Sequence, residues 1–217
     1  MARVTDAASV IHVIDDDDSF RTAVARLLKA AGYEVRTYRS AGDFLLDAPR
    51  NGPGCLLLDV RMPGPSGLEL QEALAKNGDS LPVIFVTGHG DIRQSVRAMR
   101  HGAVDFLTKP VKRKELLSAV EQALQKQSAG AAAEKARRDV AVRHAKLSPR
   151  EREVFELVVA GHLNKQIAAA LKTSERTVKA HRARIMEKMR VGSVAELVRA
   201  DGLLRHRGEG HSALPAD

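Results

Sequence analysis

Along the first 126 residues the apolar positions change period repeatedly. Five short runs, VIHVI (10–14), EVRTY (34–38), CLLLD (55–59), PVIFV (82–86) and AVDFL (103–107), are rich in β-branched and aromatic residues. Gly, Pro or Asp bounds each of them, and such runs predict strands. Between them apolar residues recur at helical spacing. The predicted helices are Phe20 to Ala31, with Val24, Leu27 and Leu28 on one face, then Ala41 to Ala48, Gly67 to Lys76, Ile92 to His101 and Arg113 to Gln125. Five strands alternating with five helices imply βα units, and strands this apolar suit burial on both faces. The expected fold is α/β, a doubly wound (βα)5 parallel sheet.

The pattern changes at residue 127. QSAGAAAEKARRDVAVRHAK is mostly Ala and charge, with no wide apolar stripe. It predicts a solvated linker, part helical and part flexible, and Gly130 weakens a helix running through it. Helical period returns at Leu147 in four short segments. Ser148 is the expected N-cap of the first, with Pro149 next and Glu151 three residues on. Asn164 should cap a helix to Leu171, Ser174 one to about Arg190, and Ser193 one ending near Gly202. The tail from Arg205 reads as disordered. The expected organisation is an α/β domain (1–126), a linker (127–145), an all-α four-helix domain (146–204) and a tail (205–217).

Charge sharpens this division. The net charge is +8. Residues 1–126 carry 17 Lys+Arg against 16 Asp+Glu, and residues 127–217 carry 18 against 11. An anionic partner should meet the second half, with nucleic acid ahead of an anionic membrane surface. Cys55 is the single cysteine. It fits a reducing compartment and a buried hydrophobe better than a reactive thiol. No apolar run approaches a membrane span and no signal-like segment opens the chain, so a soluble, cytoplasmic protein is expected.

In open parallel sheets function collects at the C-terminal strand ends. Those ends carry Asp15 and Asp16, Asp59, Thr87, and Lys109 followed by Pro110. Converging carboxylates suit a hard divalent cation such as Mg²⁺ or Mn²⁺, and Lys109 with the Thr87 hydroxyl would face an anion. A lone strand-end Asp is more often a cap or turn residue, but the five together favour function. The run Asp15–Asp18 raises a separate difficulty. At an effective dielectric of about 20, carboxylates ~4 Å apart repel by about 4 kcal/mol. Asp18 is the expected cap of the first helix, and Asp17 has no assigned task. His12 and His89 lack metal-ligand spacing and read as structural.

The motifs VIDD, LLLDVRMP, VTGHGD and FLTKP, in that order, resemble the receiver domain of bacterial two-component response regulators over about residues 9–126. VTGHGD and AVDFLTKP are most similar to the FixJ branch. The resemblance implies a flavodoxin-like fold and Asp59 as acceptor of a phosphoryl group from a histidine kinase. It implies Mg²⁺ on Asp16, Asp59 and the backbone carbonyl of Arg61, with Asp15 assisting through water. Lys109 would pair with phosphate, and its bond to Pro110 would be cis. Thr87 would hydrogen-bond the phosphate, and Phe106 would sit at the aromatic switch position.

In the second half, helices from Asn164 to Leu171 and from Glu175 to Met189 flank Lys172, Thr173 and Ser174, which is helix-turn-helix spacing. Ile167, Ala168, Leu171, Val178 and Ile185 should face inward on a scaffold of Val154, Leu157 and Val158. Lys179, His181, Arg182 and Arg184 remain for the outer surface. LSPREREV, NKQIA and SERTVKAHRARIMEKM resemble the LuxR-type helix-turn-helix of NarL/FixJ response regulators over about residues 146–202. That resemblance implies Lys179, Ala180, Arg182 and Ala183 at or near base edges, and Lys165, Ser174, Thr177 and His181 on phosphates. Arg184 completes the DNA-facing set, and Val194, Leu197 and Val198 would form a dimer contact on DNA.

The expected protein is a phosphorylation-gated transcription regulator, not an enzyme. Its expected partners are a histidine kinase, double-stranded DNA with two half-sites, RNA polymerase and a second copy of itself. Receiver pairing would use Ile92, Val96 and Arg100. A phosphohydrolase of the haloacid dehalogenase type would need an Asp two positions after Asp59, where Arg61 stands. Constitutive DNA binding by a receiver-like protein is disfavoured by the intact acidic set.

Overall fold

The computed structural model describes residues 9–47, 52–79, 81–88 and 92–205, with the backbone alone for 92–95. It divides into two units, Met1–Gly130 and Ala131–Asp217. In the first unit β1 (Val10–Ile14), β2 (Glu34–Tyr38), β3 (Gly54–Asp59), β4 (Val83–Thr87) and β5 (Asp105–Thr108) form one sheet of order β2-β1-β3-β4-β5. Every pairing is parallel. The intervening helices are α1 (Asp18–Ala30), α2 (Ala41–Asp47), α3 (Gly67–Lys76) and α4 (Ile92–Arg100), and α5 starts at Arg113.

The central strands β3 and β4 are buried at every position because the sheet has a core on each face, whereas the edge strand β2 exposes Glu34, Arg36 and Thr37. Ile11, Val13, Cys55, Leu57, Ile84 and Val86 pack with Val24 and Leu28 of α1 and Leu116 and Val120 of α5. The alternate residues Ile14, Leu56, Leu58, Val83 and Phe85 pack with Phe44 of α2, Leu68 and Leu74 of α3 and Ala98 of α4. This is the expected doubly wound α/β fold, with side chains alternating between faces along each strand. Cys55 is fully buried, and burial pushes its thiol up to about 12. His12 is buried against the Tyr38 and Phe44 rings with its Nδ1 3.2 Å from the Tyr38 hydroxyl. Burial, then the nearby Arg36 charge, lowers its pKa. His12 is thus structural, and His89 lies outside the described residues.

The expected linker is different. Helix α5 runs from Arg113 to Ala145, straight through Gly130. A helical Gly costs about 1 kcal/mol relative to Ala, but Ala129 and Ala131–Ala133 flank it with the best helix former. Glu134 then accepts from Arg137 at 2.8 and 2.7 Å and from Arg138 at 3.0 Å. Pairs at these spacings support a helix locally.

In the second unit the end of α5 joins α6 (Pro149–Val159), α7 (Asn164–Ala170), α8 (Glu175–Met189) and α9 (Val194–Arg205). Val140 of α5 is buried with Val154, Phe155, Val158, Ile167, Val178 and Ile185. Arg143 Nη1 donates to the Met189 carbonyl at 3.0 Å, and His144 meets the Phe155 ring edge-on at 5.0 Å. A boundary at residue 146 therefore cuts into this core. The sequence hid this because the segment contributes only one deeply buried apolar side chain. Ser148 and Glu151 form the expected capping box. At α7 the cap is Leu163 rather than Asn164, with the Gln166 side chain accepting from the Leu163 N–H at 2.8 Å. Helix α9 continues past Gly202 to Arg205, and the expected tail beyond it lies outside the described residues. Among the described residues no helix is long and apolar enough to cross a membrane.

Val140→Ala should destabilise the helical unit by about 1–2 kcal/mol, since it removes buried apolar surface. Val142→Ala, on the exposed face of the same helix, should stay within about 0.5 kcal/mol of wild type. Urea unfolding of the full chain measures both, and equal effects would place Val140 outside the core.

Candidate functional site

The strand order puts β3 between β1 and β4, so the groups at the C-terminal ends of these strands meet at one edge of the sheet. Asp15 follows β1, Asp59 ends β3, Thr87 ends β4 and Lys109 follows β5. Lys109 Nζ lies 2.7 Å from Asp15 Oδ2 and 2.9 Å from Asp59 Oδ2. It also sits 4.2 Å from the centre of the Phe20 ring, a cation–π distance. Both carboxylates are buried, with side chains 2% and 9% exposed. Asp16 is exposed, and one carboxylate oxygen from each of Asp15, Asp16 and Asp59 falls within 4.8 Å of the others. Three carboxylates with an open side form an oxygen donor set that fits a small hard divalent cation.

Burial raises the Asp15 carboxyl above its usual range, and the hydrogen bond and charge of Lys109 offset this only in part. For Lys109 the balance is opposite. Burial pulls the ammonium down, but the bonds and charges of Asp15 and Asp59 outweigh it, and its pKa lies above the ordinary value. Lys109 is therefore held protonated between the two carboxylates.

The four successive aspartates have four separate surroundings. Asp15 accepts from the Asp17 N–H at 3.0 Å as well as from Lys109. Asp16 faces solvent at the cluster. Asp17, not Asp18, is the N-cap of α1, accepting from Ser19 N at 2.9 Å and Phe20 N at 3.2 Å. Those two bonds hold its carboxyl below the usual range. Asp18 is the first helical residue and pairs with Arg21. The expected cap was one residue late because either aspartate satisfies the composition rule. The extended backbone of Asp17 decides between them.

Arg61 contributes its N–H to Asp59 Oδ1 at 3.2 Å. Thr87 is buried at the same edge, and the Lys109–Pro110 bond is cis. Gly67 is a residue that pattern reading passed over. A Cβ there would come within 2.1 Å of the Asp59 carbonyl oxygen, so only glycine lets α3 start this close to the end of β3. Its sole sequence signal is its place directly after the capping Ser66.

In the helical unit α7 and α8 are joined by Leu171–Ser174, and Ile167, Ala168, Val178 and Ile185 are buried as expected. Leu157 and Leu171 are half-buried against them. Lys165 on α7 and Lys179, Ala180, Ala183 and Arg184 on α8 are exposed. A second helix presenting cations beside small side chains is the arrangement by which helix-turn-helix units enter a major groove.

Two family models match the chain: the response regulator receiver domain over residues 11–121, and the luxR family of bacterial regulatory proteins over residues 145–200. The response regulator protein TodT of Pseudomonas putida is 43% identical over 210 residues, covering 94% of this chain and 90% of that one. The transcriptional regulatory protein FixJ of Bradyrhizobium diazoefficiens is 42% identical over 189 residues, covering 87% and 92%. The solved structure of the response regulator StyR, 43% identical, superposes with a TM-score of 0.78 over 90% of this chain and 99% of that one. The chain belongs to the NarL/FixJ-type response regulators. It is a two-component response regulator with a LuxR-type DNA-binding domain, and it acts in transcription regulation.

The recognition helix α8 of this regulator is held by polar contacts at both ends. Ser174 caps it, accepting from Thr177 N at 3.1 Å, and the two hydroxyls bond each other at 2.9 Å. Arg182 Nη1 donates to Asn164 Oδ1 at 2.8 Å, which fixes a half-buried guanidinium beside a cleft lined by Leu163, Asn164 and Lys179. His181 is half-buried rather than fully outward, and its Nδ1 is buried with no hydrogen-bond partner among the described residues. On α9, Val194 and Val198 are exposed, but Leu197 is 1% exposed within the core of its own unit. Leu197 is therefore withdrawn from the expected dimer face, because the helical period turns it inward. In the receiver, Phe106 is half-buried, 6.3 Å from Phe85 between ring centres. Val96 and Arg100 of α4 are exposed, and the Ile92 side chain lies outside the described set.

At the far end of α8, Lys188 Nζ donates to the buried Glu151 carboxylate at 2.6 Å, and Ser148 N donates to it at 2.8 Å. These bonds, Lys188 first, lower the Glu151 carboxyl to about 2. Its unfolded value is about 4.3. The contribution is thus complete above about pH 5 and is lost as pH falls towards 2. Glu151→Gln should lower stability at pH 7 by about 2 kcal/mol. Chemical unfolding at pH 7 and pH 3 should show the gap to wild type shrinking at the lower pH, and a constant gap would refute the charged contact.

Proposed function

We propose that Asp59 accepts a phosphoryl group from a phosphohistidine of a sensor kinase, and that phosphorylation promotes receiver dimerisation and sequence-specific DNA binding. The observation that carries this reading is the Lys109 ammonium bridging Asp15 and Asp59 inside an all-oxygen cluster. An Asp59 carboxylate oxygen attacks phosphorus, the P–N bond to the imidazole breaks, and the electron pair returns to nitrogen. Such transfer depends on positioning and on neutralising charge at the phosphoryl oxygens. Asp15, Asp16, Asp59 and the Arg61 carbonyl would hold Mg²⁺ or Mn²⁺, which when bound supplies part of that neutralisation. Lys109 supplies the rest, releasing one carboxylate to meet the new phosphoryl oxygens.

Thr87 then binds a phosphoryl oxygen through its hydroxyl. Phe106 turns inward behind it, altering the surface of α4 and β5 that carries Val96 and Arg100. Two paired receivers deliver two DNA-binding units to two half-sites, and the second contact becomes effectively intramolecular. On DNA, Lys179, Ala180, Arg182 and Ala183 lie at base edges. Lys165, Ser174, Thr177 and His181 serve phosphates, Arg184 completes the DNA-facing set, and Val194 and Val198 meet the second copy. RNA polymerase is the partner at the promoter, and the cytoplasm is the compartment where kinase and DNA are both reached.

Incubation with a small phosphodonor and Mg²⁺, followed by intact mass measurement, tests the acceptor. Wild type should gain one phosphoryl group, and Asp59→Asn should gain none. An equal gain in the variant would move the acceptor elsewhere.

A further inference from the structure

Arg21 is the one charged side chain of α1 that is buried among the described residues, with 6% of the residue exposed. Its position is unfavourable for a cation. It lies four residues after the N-cap, close to the positive end of the helix dipole. A buried guanidinium requires partners, and both of its partners lie in the segment preceding or opening the helix. Nη1 donates to the Asp15 main-chain carbonyl at 2.5 Å. Nη2 pairs with the Asp18 carboxylate.

The fork therefore spans the aspartate run, gripping the carbonyl of its first residue and the carboxylate of its last. Asp16 and Asp17 lie between those grips. The segment also holds the Asp15 side chain, whose Oδ1 accepts from Asp17 N at 3.0 Å while Oδ2 meets Lys109. Without Arg21 the Asp15 carbonyl loses its donor, and the turn that aims Asp15 and Asp16 loses its tie to α1.

We infer that Arg21 is a positioning residue for the divalent cation of the acidic cluster. It fixes the β1–α1 turn so that Asp15 and Asp16 present their oxygens together with Asp59. This inference rests on the proposed metal-dependent phosphotransfer. Its sign separates it from simple electrostatics. A nearby cation opposes metal binding through charge alone, so removing it would tighten the metal. Removing a positioning group weakens the metal instead, as loss of outer partners does elsewhere. Lysine is a poor substitute, because a point charge cannot reproduce the planar fork.

The test is Mn²⁺ titration of the full chain, read from the electron paramagnetic resonance signal of free Mn²⁺, with thermal melting in chelator as a separate measure of folding. Arg26→Met, on the exposed face of the same helix, controls for loss of one positive charge. Arg21→Met should weaken Mn²⁺ binding by about tenfold or more, Arg21→Lys should weaken it less, and Arg26→Met should leave it unchanged or slightly tighter. A folded Arg21→Met with wild-type or tighter affinity overturns the inference, even if its melting temperature falls. If Arg21→Met does not fold, Arg21→Lys decides: weaker binding supports the role, and wild-type affinity overturns it. Failure of wild type itself to bind Mn²⁺ defeats the metal reading and this inference together, an outcome distinct from a variant-specific result.

Discussion

The Lys109 ammonium between Asp15 and Asp59 is the contact on which the chemistry of the receiver depends. Two buried carboxylates and a third close by repel one another in a medium where charge is weakly screened. One cation from the far end of the sheet offsets this, and it reaches them because β3 and β4 bring all the strand ends to one edge. In the proposed phosphotransfer, a fixed positive charge beside the Asp59 oxygen would need little reorganisation when negative charge arrives. Around it, the backbone N–H groups of Asp17 and Arg61 each fix one carboxylate oxygen, and Gly67 removes the side chain that would push α3 away from Asp59.

Much of this was legible in the residue order, for a physical reason. A sheet buried on both faces forces strands that are mostly apolar on both sides, so VIHVI, CLLLD and PVIFV stand out from the helices between them. The charged residues that break these runs at their C-terminal ends are then conspicuous. Less legible were features set by backbone direction rather than residue type. Asp17 and Asp18 are chemically identical, and only the extended backbone of Asp17 made it the cap. Gly130 looked like an interruption, yet its alanine neighbours carry α5 through it. Leu197 has the hydrophobicity of an interface residue, but it lies inside the core.

The helical unit reaches rigidity by a different route. Its helices are short, and their stability comes from packing more than from propensity. Helix α8 is pinned at its start by Ser174, at its middle by Asn164, and at its end by Arg143 and Glu151. Such pinning fixes the course of α8, and the bond to Asn164 also holds the Arg182 guanidinium in place. The end of α5 belongs to this support, since Val140 and Arg143 contact the helical core directly.

The central claim is that phosphorylation of Asp59 sets the affinity of the basic unit for DNA. The direct measurement is the dissociation constant of the full chain for duplex DNA carrying its two half-sites, at fixed salt, with and without phosphodonor and Mg²⁺. Wild type should bind tighter by about tenfold or more after phosphorylation, as expected when a second half-site is engaged from a paired molecule, and Asp59→Asn should show no change. Equal affinity in wild type before and after phosphorylation would contradict it.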